Sequence, residues 1–178
     1  MKNELNMKKF IYIFTMLFAV VFSACNSEDL DYDIEYTPIH PIGGMYRVKI
    51  VDEAGAEVKL SSSMYCYLSN TNANDTDKCW IRIGNYNTSA SNAYAINGKI
   101  ACDVKSLTFS GTAMNLAGNV ASSNENFTVT NGKIELKGAT APSGTVCDKI
   151  SFTFTRDNFP GKTYTVTGYR YTGWTETD

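Results

Sequence analysis

Strict alternation of apolar and polar residues over short runs most limits how this chain can fold. Tyr46, Val48 and Ile50 alternate with Arg47 and Lys49; Met64, Cys66 and Leu68 with Tyr65 and Tyr67; Cys79, Ile81 and Ile83 with Trp80 and Arg82. The period returns in Ile100, Cys102 and Val104, in Phe127 and Val129, in Ile134 and Leu136, in Ile150, Phe152 and Phe154, and in Tyr164 and Val166. A period of two sends successive side chains to opposite faces of a strand, so every run has one face that must be buried. From residue 43 onward no stretch carries a 3.6-residue period, and helix is therefore a minor component.

Turn chemistry divides the runs. Asn131-Gly132 lies between two alternating stretches and suits a two-residue type I′ hairpin, because both residues tolerate positive φ. Asn97-Gly98 offers a second such turn, and Asp52 to Gly55, Pro142 to Gly144 and Pro160-Gly161 mark further reversals. The expectation is an all-β antiparallel meander of about eight to ten strands. Its one-sided strands bury their apolar faces if the sheet closes into a small barrel of the lipocalin or streptavidin kind; a β-sandwich is the alternative.

The N-terminus reads as a targeting segment. Lys8 and Lys9 precede an uncharged apolar run from Phe10 to Phe22, 13 residues long. That is too short for a membrane-spanning helix and suits the core of a signal peptide. Ser23 and Ala24 then lead into Cys25, an arrangement that resembles the lipobox of bacterial lipoproteins, although Phe22 stands where leucine is usual. The resemblance implies cleavage after residue 24, a lipid on Cys25 and a membrane partner through that anchor. Residues 25–42, rich in Glu28, Asp29, Asp31, Asp33 and Glu35, read as a solvated acidic tether, with 43–178 as a single domain. Ser27-Glu28-Asp29 resembles the acidic export signal of Bacteroidota lipoproteins, which implies outer-membrane anchoring with display on the cell surface; a periplasm-facing anchor is the alternative. Of 16 basic and 18 acidic residues, Lys2, Lys8, Lys9 and Glu4 precede Cys25, leaving 13 and 17 and a net charge near −4. No basic stripe offsets that balance, which argues against a nucleic-acid partner.

Catalytic chemistry has few candidates. His40 is the sole histidine and lies in a Pro-flanked segment outside the strands, so it lacks the rigid neighbours that hold a general base against a nucleophile. One histidine also leaves no histidine-rich zinc set, and no cofactor motif is present. Asp75 and Asp77 are the nearest approach to a carboxylate pair, but they sit in the polar stretch NTNANDTDK, which reads as a hairpin loop without regular calcium-ligand spacing.

Cysteines and aromatics remain as site candidates. If Asn72 and Ala73 centre a hairpin, positions summing to 145 face one another, which pairs Cys66 with Cys79 and Tyr65 with Trp80. On that register the two cysteines are either a disulfide or small buried thiols. Inward Tyr46, Phe127, Phe152, Phe154 and Tyr164 either line a cavity for an apolar, lipid-like ligand or simply fill the interior. Tyr65, Tyr67 and Trp80, on the opposite face, form an aromatic surface for a glycan or an outer-membrane protein partner.

Several short pieces carry a wider likeness: NDTDKCWI (Asn74 to Ile81), LTFSG (Leu107 to Gly111), TNGKIELKG (Thr130 to Gly138), PSGTV (Pro142 to Val146) and GYRYTGW (Gly168 to Trp174). Through them the stretch from about Gly43 to Asp178 resembles the lipid-binding putative hydrolase family of Bacteroidota lipoproteins. The resemblance implies a lipocalin-like barrel and an apolar ligand. It brings no catalytic residues, and hydrolysis through carboxylates is kept only as a third reading behind lipid binding and glycan or protein binding.

Replacing Cys25 by serine is expected to leave an unprocessed, mislocalised chain that takes up no palmitate. Metabolic labelling of the variant at the wild-type level would overturn the lipobox assignment.

Overall fold

The computed structural model describes residues 34–58, 64–84, 92–119 and 125–173. Cys25 and Ser27 to Asp29 lie outside the described residues. The compact unit that holds the barrel runs Tyr36–Asp178.

Eight strands close into one antiparallel barrel in simple up-and-down order: β1 (Gly44–Val51), β2 (Tyr65–Asn70), β3 (Lys78–Ile83), β4 (Asn97–Asp103), β5 (Thr108–Met114), β6 (Asn126–Thr140), β7 (Val146–Arg156) and β8 (Thr163–Arg170). Pairing of β1 with β8, from Tyr46↔Arg170 to Val51↔Thr165, makes the closure and rules out the sandwich. The helical content of the described residues is one 3₁₀ turn, Ala117–Asn119. Buried residues alternate along the strands as the period requires, for example Tyr46, Val48 and Ile50 on β1 and Ile150, Phe152 and Phe154 on β7.

The alternating runs and the strands do not correspond one to one. The runs around Phe127 and Ile134 belong to a single 15-residue strand, β6. Asn131 does adopt positive φ, 56°, but the chain makes a bulge there rather than a hairpin. Thr130↔Thr153 and Lys133↔Ser151 bracket two residues of β6, Asn131 and Gly132, against Phe152 alone on β7. The extra residue shifts the phase, so that Phe127 and Val129 before it and Ile134 after it are all buried. A second irregularity between Glu135 and Ala139, with Lys137 at φ 54°, breaks the phase again and leaves Leu136 58% exposed.

Asn97-Gly98 is likewise no turn; it opens β4, with Gly98 opposite Ile81. The glycine is required by a close approach, since a Cβ there would lie 2.7 Å from the Phe127 ring. β5 escapes the alternation test because its inner positions, Phe109, Gly111 and Ala113, include only one large side chain. The other reversals stand as expected. Asp52 caps its turn by accepting from Ala54 N at 3.0 Å and Ala56 N at 2.8 Å. Gly144 and Gly161 take positive φ in the β6–β7 and β7–β8 connections.

The bulge in β6 generates a sharp test. A Cβ on Gly132 would fall 2.1 Å from the Phe109 carbonyl oxygen and 2.4 Å from its ring, so the backbone itself must give way. Gly132→Ala is expected to cost about 2–3 kcal/mol, the upper part of the overpacking range. The measurement is a lowered urea midpoint with an unchanged slope; a midpoint within error of wild type would refute the close-approach account.

Candidate functional site

All five inward aromatics lie where alternation places them, inside the barrel. Phe152 and Phe154 have their ring centroids 6.3 Å apart, Phe154 stacks on Tyr164 at 5.1 Å, and Phe109 meets Phe152 edge-on at 5.6 Å. These are contact distances between neighbouring rings. Phe127 packs onto Gly98, and Tyr46 is fully buried with its hydroxyl donating to Ile42 O at 2.8 Å. The rings occupy an interior that, with eight strands, is only wide enough for side chains or one small ligand.

Each mouth of the barrel is closed by its own device. At the start of β1 the chain turns on itself, with Ile42 N and Gly43 N both donating to Ile39 O, and buries Ile39 and Ile42 under the opening. Arg170, at the end of β8, clamps this turn. Its guanidinium donates to Gly43 O (2.6 Å), Pro41 O (3.2 Å) and the Tyr46 hydroxyl (3.1 Å), and to Asp148 Oδ2 at 2.9 Å. At the opposite mouth a buried pair, Arg156 on β7 and Glu125 just before β6, does the same work. Glu125 also accepts from Asn115 Nδ2 at 3.1 Å and Asn158 N at 3.3 Å, and Asn115 ties the 95–97 segment through Ala95 O and Asn97 N, each at 3.0 Å. A buried ion pair is tolerable only when its remaining lone pairs are met in this way.

Open space lies on the outside. A cleft of about 530 Å³ runs over the outer face of β2 and β3, lined by Tyr67, Ser69, Trp80 and Arg82, with Asn70 and Asn72 at one end and Asn97 and Leu116 at the other. That volume falls within the range of small-molecule sites. The register explains its shape. Ser69 stands opposite Trp80 and Tyr67 opposite Arg82, so a small side chain faces the indole while the guanidinium lies over the phenol ring, 4.3 Å from its centroid. On the far side Trp80 pairs with Lys99 of β4, whose ammonium is 5.8 Å from the indole centroid and 4.0 Å from Asp75.

Two cross-strand pairings drawn from the sequence are corrected by this register. Cys66 faces Ile83 and Cys79 faces Asn70, so the two thiols are neither opposite nor bridged. Cys79 is instead within hydrogen-bonding reach of Cys102 on β4. Tyr65 does not oppose Trp80 either; it leans on Tyr67 (6.4 Å) and Tyr171 (5.9 Å), outside the cleft lining, whereas Tyr67 and Trp80 are both within it. The reason is that the chain reverses around Asn74, at φ 51°, and Asp75 to Asp77 extend the loop rather than β3.

The polar candidates resolve as structure. Asp75 accepts from the Thr71 hydroxyl at 2.7 Å and its own N–H donates back to that oxygen at 3.0 Å, which shapes the β2–β3 loop. His40 is exposed, with its ring 4.0 Å from that of Tyr36. Among the described residues no group of three or more His, Cys, Asp or Glu side chains is placed to hold a metal. The Arg156–Glu125 pair and the clamp of Arg170 on Asp148 were not foreseeable, because a single charged residue beside a turn carries no period or spacing.

Fold and cleft together define a small closed-barrel domain with a packed aromatic core and an open cleft on the outer face of its wall. Residues 31–175 match the family described as lipid-binding putative hydrolase, and the chain belongs to that family. No curated protein matches it. Among solved structures it is similar to a redesigned β-barrel at 14% identity and TM-score 0.44, covering 76% of this chain and 96% of that one. A second redesigned β-barrel, solved with DFHBI bound, aligns at 14% identity and TM-score 0.42, covering 76% of this chain and all of its own.

The buried thiols yield a prediction in pH. Burial pushes the thiols of Cys66 and Cys79 and the hydroxyl of Tyr46 far above their ordinary ranges. Unfolding exposes them, and in the unfolded chain thiols ionise near about 8.5 and phenols near about 10. Above those values the unfolded state sheds protons that the folded state keeps, so stability is intact below about pH 8.5 and declines as pH rises further. Urea midpoints measured from pH 7 to 10.5 should fall along this course, and more shallowly in Cys66→Val. A flat profile would contradict the buried-thiol assignment.

Proposed function

We propose that the protein is exported, lipid-anchored at Cys25 in the outer membrane with its barrel displayed at the cell surface, and that the barrel binds a lipid-like amphiphile without transforming it. The observation that carries the binding reading is the placement of space: the rings inside touch one another, while a cleft of about 530 Å³ opens over Tyr67 and Trp80. Membership of a lipid-binding family supports the ligand class. The indole and Leu116 offer apolar surface, worth about 2.5 kcal/mol for each 100 Å² withdrawn from water before ordering costs. Arg82, Ser69 and the asparagines offer polar contacts to the ligand's head. Binding without chemistry is supported by the state of the buried carboxylate, since Glu125 is already engaged by Arg156, Asn115 and Asn158 N.

A fluorescent fatty-acid analogue, displaced by dodecanoate, tests the site. One-to-one binding is expected, weakened at least tenfold in Trp80→Ala and unchanged in Phe152→Leu. A tenfold loss corresponds to about 1.4 kcal/mol. The reverse pattern, loss in Phe152→Leu with Trp80→Ala unaffected, would move the ligand into the barrel and refute the cleft.

A further inference from the structure

The cleft's polar lining has a chemical character that says more about the ligand's head. Among the described residues it includes three carboxamides, Asn70, Asn72 and Asn97, and the hydroxyls of Ser69 and Tyr67, but no carboxylate. Arg82 is the one charged residue of that described lining, and its guanidinium already rests on the Tyr67 ring at 4.3 Å. Lys99, beyond Trp80, lies 4.0 Å from Asp75. A cationic head would find no counter-charge in this lining, and an anionic head would find no convergent set of cations. Carboxamides are different. An unengaged carboxamide carries two donors and an acceptor at fixed spacing, which matches neighbouring hydroxyls on a ring. Asn70 spends its amide donors on Asn74 Oδ1 at 2.8 Å and Thr71 O at 3.3 Å, so it meets a ligand as an acceptor, through its carbonyl oxygen.

The apolar half of the match is Trp80. The residue opposite it is Ser69, too small to cover the indole, so part of the ring surface stays open to the cleft. A pyranose presents C–H groups on one face and hydroxyls around its edge. Laid on the indole, it would bury the C–H face and turn its hydroxyls toward Asn70 and Asn72. We propose that the cleft recognises a neutral sugar ring, stacked on Trp80 and hydrogen-bonded by Asn70 and Asn72. This rests on the assignment of the ligand site to the cleft, and it makes the sugar the head of the amphiphile or a free glycan.

Isothermal titration of the intact protein with dodecyl β-maltoside below its micellar concentration, dodecanoate, dodecyl phosphocholine and maltotetraose separates the outcomes. The maltoside is expected to bind at least tenfold more tightly than the other two amphiphiles, because only it brings a polyol head. Asn72→Ala, an exposed loop change, is expected to reduce maltoside affinity several-fold and leave dodecanoate binding unchanged. Maltotetraose binding as well as the maltoside would assign the sugar to a free glycan; dependence on the dodecyl chain would assign it to a glycolipid; either supports the inference. Equal affinity for the three amphiphiles would overturn the sugar while keeping the amphiphile site. Loss of all binding would overturn the cleft itself, and with it this inference.

Discussion

Closure of β1 on β8 sets the conditions for everything else in this molecule. Once eight strands form a ring, the interior has a fixed and narrow bore, and each strand contributes only its alternate residues to filling it. Phe109, Phe152, Phe154 and Tyr164 meet ring to ring inside it, and Tyr46 and Phe127 are buried in the same core. The tight places are then met by glycine. Gly98 admits the Phe127 ring and Gly132 admits Phe109, each at a distance no side chain could share. A barrel packed in this way has no sheet edge to protect, but it has two open ends, and those have to be closed by polar chain segments.

The two ends solve that problem with the same chemistry in different wiring. At one, a guanidinium from the last residue of β8 gathers the carbonyls of Pro41 and Gly43 and so pins Ile39 and Ile42 over the bore. At the other, the guanidinium of Arg156 meets Glu125, and Asn115 links the carboxylate to the 95–97 segment. Arginine suits both places because its planar fork satisfies several acceptors at once, from a buried position at Arg156 and a half-buried one at Arg170. Both guanidiniums and the Glu125 carboxylate are engaged by partners within the chain, which accounts for their place at the barrel ends.

How much of this the sequence disclosed depends on what kind of signal each feature leaves. Period two placed Tyr46, Phe127, Phe152, Phe154 and Tyr164 inside and Tyr67 and Trp80 outside, correctly in each case. Register was not legible, and the hairpin of β2 and β3 shows why. The loop turns around Asn74 rather than Asn72 and Ala73, which moves every cross-strand partner by four residues. Four is an even number, so the faces survive while the partners change. That is why the aromatic face was foreseen and the true partners of Cys66, Cys79, Tyr65 and Trp80 were not. Asn131-Gly132 failed for a different reason: positive φ is demanded equally by a type I′ turn and by a bulge, and the local sequence does not separate them. β5 was invisible because glycine and alanine on its inner face carry no hydrophobic contrast.

A core of packed rings bears on what binding would ask of the molecule. A ligand that entered the bore would have to displace packed rings and force open a stoppered mouth, replacing dispersion contacts along the whole core. A ligand on the wall displaces only water from Trp80 and its neighbours. The side chains it meets are set by the antiparallel ladder, with Ser69 held opposite Trp80 and Tyr67 opposite Arg82, so little ordering remains to be done on binding. Affinity for such a ligand would depend on the outward residues of β2 and β3, and stability on the inward residues of the same strands. The two can vary separately because alternation assigns them to opposite faces of one sheet. Period two, which first identified the strands, thus gives this barrel a wall whose outward residues and cleft are independent of its core.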